Sequence, residues 1–402
     1  MRRRRGGPRR RPDGERRAGR HDPPRLQVPR VHASQVRRAV KRLLALEPYY
    51  GGSHRAVLDG LVARIAPEWE CDLLTLPARK WKWRMRGAAI TMAAQARELH
   101  AAGARWDLVF ASTFVNVAEF LGLAGEAVAG VPVVVYFHEN QFLYPNRHTA
   151  DWDFQFPLTN VTSALAADEC WFNTRWNLDG LLAEVGPFFR EFPDHRPEGV
   201  REAIAAKSRV LAPPFEAAAF DAAQPVRGER CRIVWPHRWE HDKRPEVFFA
   251  TVATLASEGL DFEVAVAGQS FRETEGPMRE AAEALGERLV HCDEPATRED
   301  YARLLASADV AVSTADNEFF GIAMLEACYA GCTPLVPDRL AYPELYPRTY
   351  RYVDDAELVS RLRALVLERP APGAARTLAG AFTWDALLPQ WLAALEGAAS
   401  RR

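Results

Sequence analysis

The chain has 402 residues, 48% hydrophobic, 26% charged and 10% aromatic, which suits two or three packed domains and argues against wholesale disorder. Its net charge of −1 conceals an asymmetry: residues 1–42 carry sixteen Lys/Arg against three acids, and the remainder is acidic. No run of about 18 uninterrupted apolar residues occurs, which argues against a membrane span, and six cysteines without CxxC spacing argue against a disulfide scaffold or structural zinc and fit a reducing cytoplasm.

Residues 1–40 form the basic tail. Lacking an apolar stretch, it is not a secretory signal, and its Arg, Pro and Gly content predicts disorder. It suits a sequence-blind arm for phosphate backbones, a solubilising extension, or sequence ahead of the true start. From residue 41 short apolar runs alternate with helical patterns, predicting an α/β chain. Leu43–Leu46 is a first strand. Gly51-Gly52 then breaks it, and Ser53 is placed to N-cap a helix carrying Val57, Leu58, Leu61, Val62 and Ile65. Strands follow at Cys71–Leu76, Leu108–Ala111, Val133–Phe137 and Cys170–Phe172, with a helix through about Met92–His100.

The pattern restarts after Pro213-Pro214. Strands are predicted at Arg232–Trp235, Phe262–Ala267, Leu289–Cys292, Val310–Ser313 and Pro334–Val336. Helices are predicted at Pro245–Ala256, Arg298–Ala306, Gly321–Ala330 and Trp384–Glu396. Two such series imply two Rossmann-like domains facing across a cleft, 41–218 and 219–402. Neither carries GxGxxG after a strand, GxxxxGK[ST] or GxSxG, which disfavours a nicotinamide dehydrogenase, a P-loop ATPase and a serine hydrolase. Nucleotide-sugar transfer is the strong remaining candidate.

Three segments carry candidate chemistry. Glu318 and Glu326 lie eight residues apart on either side of Gly321, at a predicted helix start. Free N–H groups there suit a phosphate, and the carboxylates suit sugar hydroxyls, Glu326 on a ribose and Glu318 on a hexose. Arg238 and Lys243, five apart in a strand-to-helix loop, can both reach a pyrophosphate and neutralise leaving-group charge without a metal. In the first half, Gly51, Gly52, Ser53 and His54 follow the first strand, and His138 follows the strand at 133–137, where it would line the reacting face. Neither His belongs to a His/Cys motif, so no metal ligand set is predicted. Finally, Arg79, Trp81 and Trp83 belong to a basic-aromatic stretch, 79–86. It suits either stacked bases with phosphates or a solvated face with the indoles turned inward.

The basic pair with the E-x7-E pair resembles the donor pattern of retaining GT-B glycosyltransferases of family 4, although Phe319-Phe320-Gly321 replaces the usual Gly-Phe-Gly. Longer strings are more specific. YYGGSH (49–54), FASTFVNVAEFLGL (110–123), YFHENQFLYP (136–145), PDHRPEG (193–199), WPHRWEHDKRPE (235–246) and EFFGIAMLEACYAGCTPLVPDRLAYPELYP (318–347) resemble the tRNA-queuosine α-mannosyltransferase family. The resemblance implies a cytoplasmic enzyme moving mannose, with retention, from GDP-mannose to queuosine at the wobble position of tRNA(Asp). GDP-mannose would be its donor substrate, with no further cofactor. On this reading His138 and Glu318 serve catalysis; Arg238, Lys243, Gly321 and Glu326 bind the donor; and Gly51, Gly52, Ser53, His54, Arg79, Trp81 and Trp83 bind the acceptor. A small glycoside, lipid or polysaccharide acceptor is the alternative within the fold, and a non-catalytic tRNA-binding module the alternative outside it.

Overall fold

The computed structural model describes residues 40–144, 153–224, 226–268 and 275–401. The basic tail up to residue 39 and Pro145 of the YFHENQFLYP string therefore lie outside the described residues. Six strands form the first sheet: β1 (Lys41–Tyr50), β2 (Trp69–Pro77), β3 (Leu108–Ser112), β4 (Val133–Phe137), β5 (Glu169–Phe172) and β6 (Ser208–Val210). Six more form the second: β7 (Cys231–Trp235), β8 (Phe262–Ala267), β9 (Leu289–Asp293), β10 (Val310–Val312), β11 (Thr333–Pro337) and β12 (Arg351–Tyr352). The predicted strands fall within these spans, save that Ser313 lies one residue past β10. The edge strands β6 and β12 were not predicted, because three and two residues leave no readable run.

Every pairing is parallel, in the orders β2-β1-β3-β4-β5-β6 and β12-β11-β10-β7-β8-β9. Parallel strands need helical crossovers, so both faces of the inner strands are covered, and these read as unbroken apolar runs. Leu43 to Leu46, Val133 to Phe137 and Val310 to Val312 are all buried. The strand order reverses between β1 and β3 in the first sheet and between β7 and β10 in the second. At such points crossovers run to opposite faces and leave a crevice beyond the carboxyl ends of the strands.

The last helix, Trp384–Ala399, belongs by sequence position to the second series. Its Trp384, Leu387, Trp391 and Leu395 nevertheless join Leu43, Ala45, Phe110, Tyr136 and Trp171 in the core under the first sheet. Gly60 permits this docking, since a Cβ there would stand 2.2 Å from the Trp384 indole nitrogen.

Two local expectations change. The helix placed at about 92–100 spans Trp81–Ala101, because Met85, Ala88, Ala89, Met92, Ala93 and Ala96 are buried at helical spacing. The basic-aromatic stretch is therefore largely the start of a helix, entered through Lys80 in the left-handed region at φ 56°. Ser53 is not an N-cap. The helix Gly52–Ile65 is capped at Gly51 without a side-chain bond, and Ser53 points to solvent from its first turn.

Candidate active site

The two switch points face each other, and their loops carry the charged side chains. On the second sheet, the loop after β7 presents His237, Arg238, Asp242 and Lys243, and the loop after β10 presents Glu318. Lys243 is buried. Its Nζ donates to the Asn317 carbonyl at 2.5 Å and lies 3.3 Å from Glu318 and 3.4 Å from Asp242. Burial would lower its pKa, but Glu318 and Asp242 more than reverse this and hold the ammonium charged. Burial likewise opposes ionisation of Glu318, yet Lys243, His237 and the Phe320 amide bring its pKa below the usual carboxylate value. Arg238 lies 3.2 Å from Glu240 with half of its side chain open. His237 is buried with an unpartnered Nε2, and burial, aided by Lys243, pulls its pKa down to about 3.

Gly321 ends the Glu318 loop at φ +88°, a conformation that favours glycine, and caps the helix Ile322–Ala330. A Cβ there would stand 3.3 Å from Tyr342 and 3.4 Å from Glu318. Glu326 follows one turn into that helix and is buried, but it joins a different cation. Arg298 holds its carboxylate, with the guanidinium stacked over Phe220 at 4.7 Å. Glu326 makes no hydrogen bond or ion pair with Arg238, Lys243 or Glu318, so the E-x7-E pair forms two charge centres.

On the first sheet the cluster is smaller and drier. Glu47 near the end of β1 is buried; its Oε1 accepts from the Tyr49 amide at 2.8 Å and its Oε2 meets His54 Nδ1 at 3.1 Å. The His54 ring stacks on His138, centroids 4.0 Å apart at 30°. Burial alone would lower the His54 pKa, but Glu47 raises it above the ordinary value. Burial, then the His54 charge, push His138 well below it. Glu47 thus favours the protonated form of His54, and burial favours the neutral form of His138. The loop bearing His138 is fixed by buried amides. Asn173 donates to the His138 carbonyl at 2.7 Å, Asn177 to the Phe137 carbonyl at 3.0 Å, and Asn140 to Asn177 Oδ1 at 2.8 Å. Glu139, next along, receives the Gln141 amide at 2.8 Å.

Gly51 has its own packing reason, since a Cβ would stand 2.5 Å from Ala78 Cβ, whereas beside Gly52, at φ +51°, the space is open. The two tryptophans separate. Trp81 packs among Phe114, Tyr144 and Phe156, while Trp83 is 70% exposed and Arg79 is exposed as well. The two sheets also touch beside the site. Thr174 Oγ1 donates to the Phe319 carbonyl at 3.1 Å, and Glu344 accepts from the Arg175 and Trp176 amides at 2.9 and 3.2 Å.

Residues 42–215 match the family described as tRNA-queuosine alpha-mannosyltransferase N-terminal, and residues 218–349 match glycosyl transferases group 1. A tRNA-queuosine alpha-mannosyltransferase of Drosophila melanogaster is 37% identical over 333 residues, covering 81% of this chain and 86% of that protein. The chain belongs to the tRNA-queuosine alpha-mannosyltransferase family. Its fold is GT-B. A sucrose-phosphate synthase from Thermosynechococcus elongatus superposes with a TM-score of 0.65 at 14% identity, over 89% of this chain and all of that one. Anabaena HepE in complex with UDP and glucose superposes at 0.63 and 13%, with the same coverage.

The N-terminal family segment contains Glu47, His54 and His138, and the group 1 segment contains Arg238, Lys243, Glu318 and Glu326. Sequence reasoning overlooked Glu47, Glu139, His237 and Arg298 as site residues. Glu139 adjoined the singled-out His138 inside a quoted string and Glu47 stood two residues before another, which was the available signal. Arg298 carries none, because only the fold brings it to Glu326.

Proposed function

We propose that this member of the tRNA-queuosine alpha-mannosyltransferase family transfers mannose, with retention, from GDP-mannose to the cyclopentenediol of queuosine at the wobble position of tRNA(Asp). The observation that carries the reading is the opposition of two unlike clusters. A charged one built around Lys243, Arg238 and Glu318 lies beyond β7 and β10, and a Glu47–His54–His138 cluster lies beyond β1 and β4.

The donor diphosphate lies against Arg238, Lys243 and the Gly321 helix start. Lys243 already has three acceptors, but its contacts to Glu318 and Asp242 at 3.3 and 3.4 Å are long for charge-assisted bonds. The diphosphate replaces them, which frees the Glu318 carboxylate for hexose hydroxyls. Glu326, steadied by Arg298, takes the ribose. As the bond to the anomeric carbon breaks, its electrons pass to the diphosphate, where the buried ammonium and the guanidinium meet the developing charge. The acceptor hydroxyl bonds to that carbon from the same face, its proton passing to the departing diphosphate. His138, neutral, hydrogen-bonds the reacting sugar. No metal or further cofactor enters the scheme.

The test incubates purified protein with GDP-mannose and tRNA(Asp) isolated with and without queuosine, followed by mass spectrometry of the nucleosides. A hexose added only to queuosine is the expected result. No hexose, or a hexose on tRNA lacking queuosine, overturns the reading, as does unchanged tRNA(Asp) in a host from which the gene has been removed.

A further inference from the structure

Each of the other charged groups nearest Glu139 has a counterion. Glu47 has His54 at 3.1 Å, Glu240 has Arg238 at 3.2 Å, and Asp242 and Glu318 share Lys243 at 3.4 and 3.3 Å. Among the described residues Glu139 has none within ion-pair distance, and its side-chain partner there is the neutral amide of Gln141 at 2.8 Å. It is half-buried at the end of β4, facing His54, Arg238 and Lys243, with the Tyr49 and Tyr144 rings and the acids Glu240 and Asp242 around it. A carboxylate so placed loses hydration without gaining a paired charge. Donor binding sharpens the imbalance, because a diphosphate draws Arg238 and Lys243 to itself and adds negative charge beside Glu139.

A ligand that corrects this imbalance is a cation. We propose that Glu139 is the subsite for a protonated secondary amine of the acceptor, pairing with the ammonium that joins the hydroxylated ring to the base. The assignment rests on the queuosine reading. Queuosine links its cyclopentenediol to the 7-deazaguanine through a secondary amine that is protonated at neutral pH. Glu139 follows His138 on the same loop and faces His54, whose ring stacks on His138, so a diol held near His138 brings the amine towards Glu139. Burial raises the Glu139 pKa, which an arriving ammonium would bring down again. An unmodified guanosine offers no such cation, so Glu139 would also discriminate against unmodified tRNA.

The test compares two anticodon stem-loop acceptors, one carrying queuosine and one in which an ether oxygen replaces the amine, with wild-type protein and Glu139→Gln. Loss of one charge-assisted contact predicts a KM about tenfold higher for wild type on the ether acceptor, with kcat little changed. Glu139→Gln should show the same rise on queuosine and no further rise on the ether. GDP-mannose binding by the variant, measured by calorimetry, shows that it is folded. Wild-type transfer without preference between the acceptors overturns the proposal and leaves the queuosine reading standing. So does a variant that keeps the wild-type preference, or one that loses kcat at constant KM, the mark of a proton acceptor. No transfer by wild type to the queuosine acceptor overturns both.

Discussion

The two walls of the cleft solve different problems with different chemistry. The wall beyond the second sheet is a lattice of full charges in which Lys243 bridges Asp242, Glu318 and a carbonyl, Arg238 meets Glu240, and Arg298 meets Glu326. The wall beyond the first sheet holds one acid–histidine pair, a second histidine stacked on it, buried asparagine amides and aromatic rings. Charge suits a diphosphate, whose negative charge grows as it leaves. Stacked rings and fixed amides suit an acceptor that must be oriented more than neutralised. The difference implies that removing a cation from the donor wall costs far more rate than removing a charge from the acceptor wall.

The sharpest way to break this comparison is at Lys243. Lys243→Met should lower kcat/KM by roughly 10²–10³-fold, because a preorganised donor at a developing negative charge is lost. Glu326→Ala should weaken GDP-mannose binding by on the order of 1.5–3 kcal/mol, the scale of a hydrogen bond to a charged group, and leave Arg298 unpaired. Steady-state kinetics and calorimetry read both. Turnover near wild type by the Lys243 variant would mean that the charged wall does not bind the leaving group.

The charged wall was also the more legible one. Arg238, Lys243, Glu318 and Gly321 lie within short stretches whose spacing has a physical meaning, five residues across a loop and a glycine at a helix start. The inner strands were legible for a similar reason, since burial on both faces writes an unbroken apolar run such as Val133–Phe137. The acceptor wall was legible only in part. Its histidines could be placed after strands, but their stacking depends on β1 and β4 being brought to one crevice with β3 between them. Asn140, Asn160, Asn173 and Asn177 are ordinary residues until the fold buries them together. The docking of Trp384–Ala399 on the first sheet was hidden for the same reason, since nothing local to that helix says which sheet it covers.

A second prediction divides the stretch 79–86. Trp81 packs among Phe114, Tyr144 and Phe156, so Trp81→Ala should cost about 2 kcal/mol or more of stability, visible in urea unfolding. Trp83 is exposed, so Trp83→Ala should leave stability within about 0.5 kcal/mol. If Trp83 stacks on a base, the same change weakens tRNA binding by on the order of 1 kcal/mol at every salt concentration, since stacking is not screened. Unaltered tRNA affinity in the Trp83 variant would remove this stretch from the acceptor wall.

A third concerns the proton in the histidine cluster. Burial pulls His54 down and Glu47 pulls it up, with Glu47 prevailing. In Glu47→Gln burial, with Arg238, is opposed only by the smaller pull of Glu139, so the His54 midpoint followed by NMR should fall. His138, relieved of a charged neighbour, should move up towards the ordinary value. The sign carries through to stability. A raised His54 pKa stabilises the fold fully below about pH 6.5, and this contribution is lost as pH rises through the folded value. The variant should therefore show a flatter loss of stability as pH rises above about 6.5. A His54 midpoint unmoved by the substitution would mean that Glu47 does not hold that proton.

The smallest expected effect is none, and it tests whether the acceptor wall differs from a metal centre. Among the described residues, one group of acids and histidines brings its ligand atoms close enough for a cation, Glu47, His54 and His138, within 4.8 Å of one another. Its geometry is that of a hydrogen-bonded stack. His54 Nδ1 already faces Glu47 Oε2 at 3.1 Å. Imidazole lone pairs lie in the ring plane, and two rings stacked at 4.0 Å and 30° direct them side by side where a tetrahedral ion needs them to converge. Glu47 also favours the protonated form of His54, which opposes a ligand that must be neutral. On the proposed donor reading, Arg238 and Lys243 across the cleft would supply the positive charge that a divalent ion otherwise brings to a diphosphate. Mannosyl transfer should therefore proceed within about twofold of its usual rate in excess EDTA, a change of roughly 0.4 kcal/mol or less. Loss of activity restored by manganese or magnesium would place a metal at the leaving group. Loss restored by zinc, together with a changed histidine spectrum, would place one between Glu47, His54 and His138 and reverse the account of that wall.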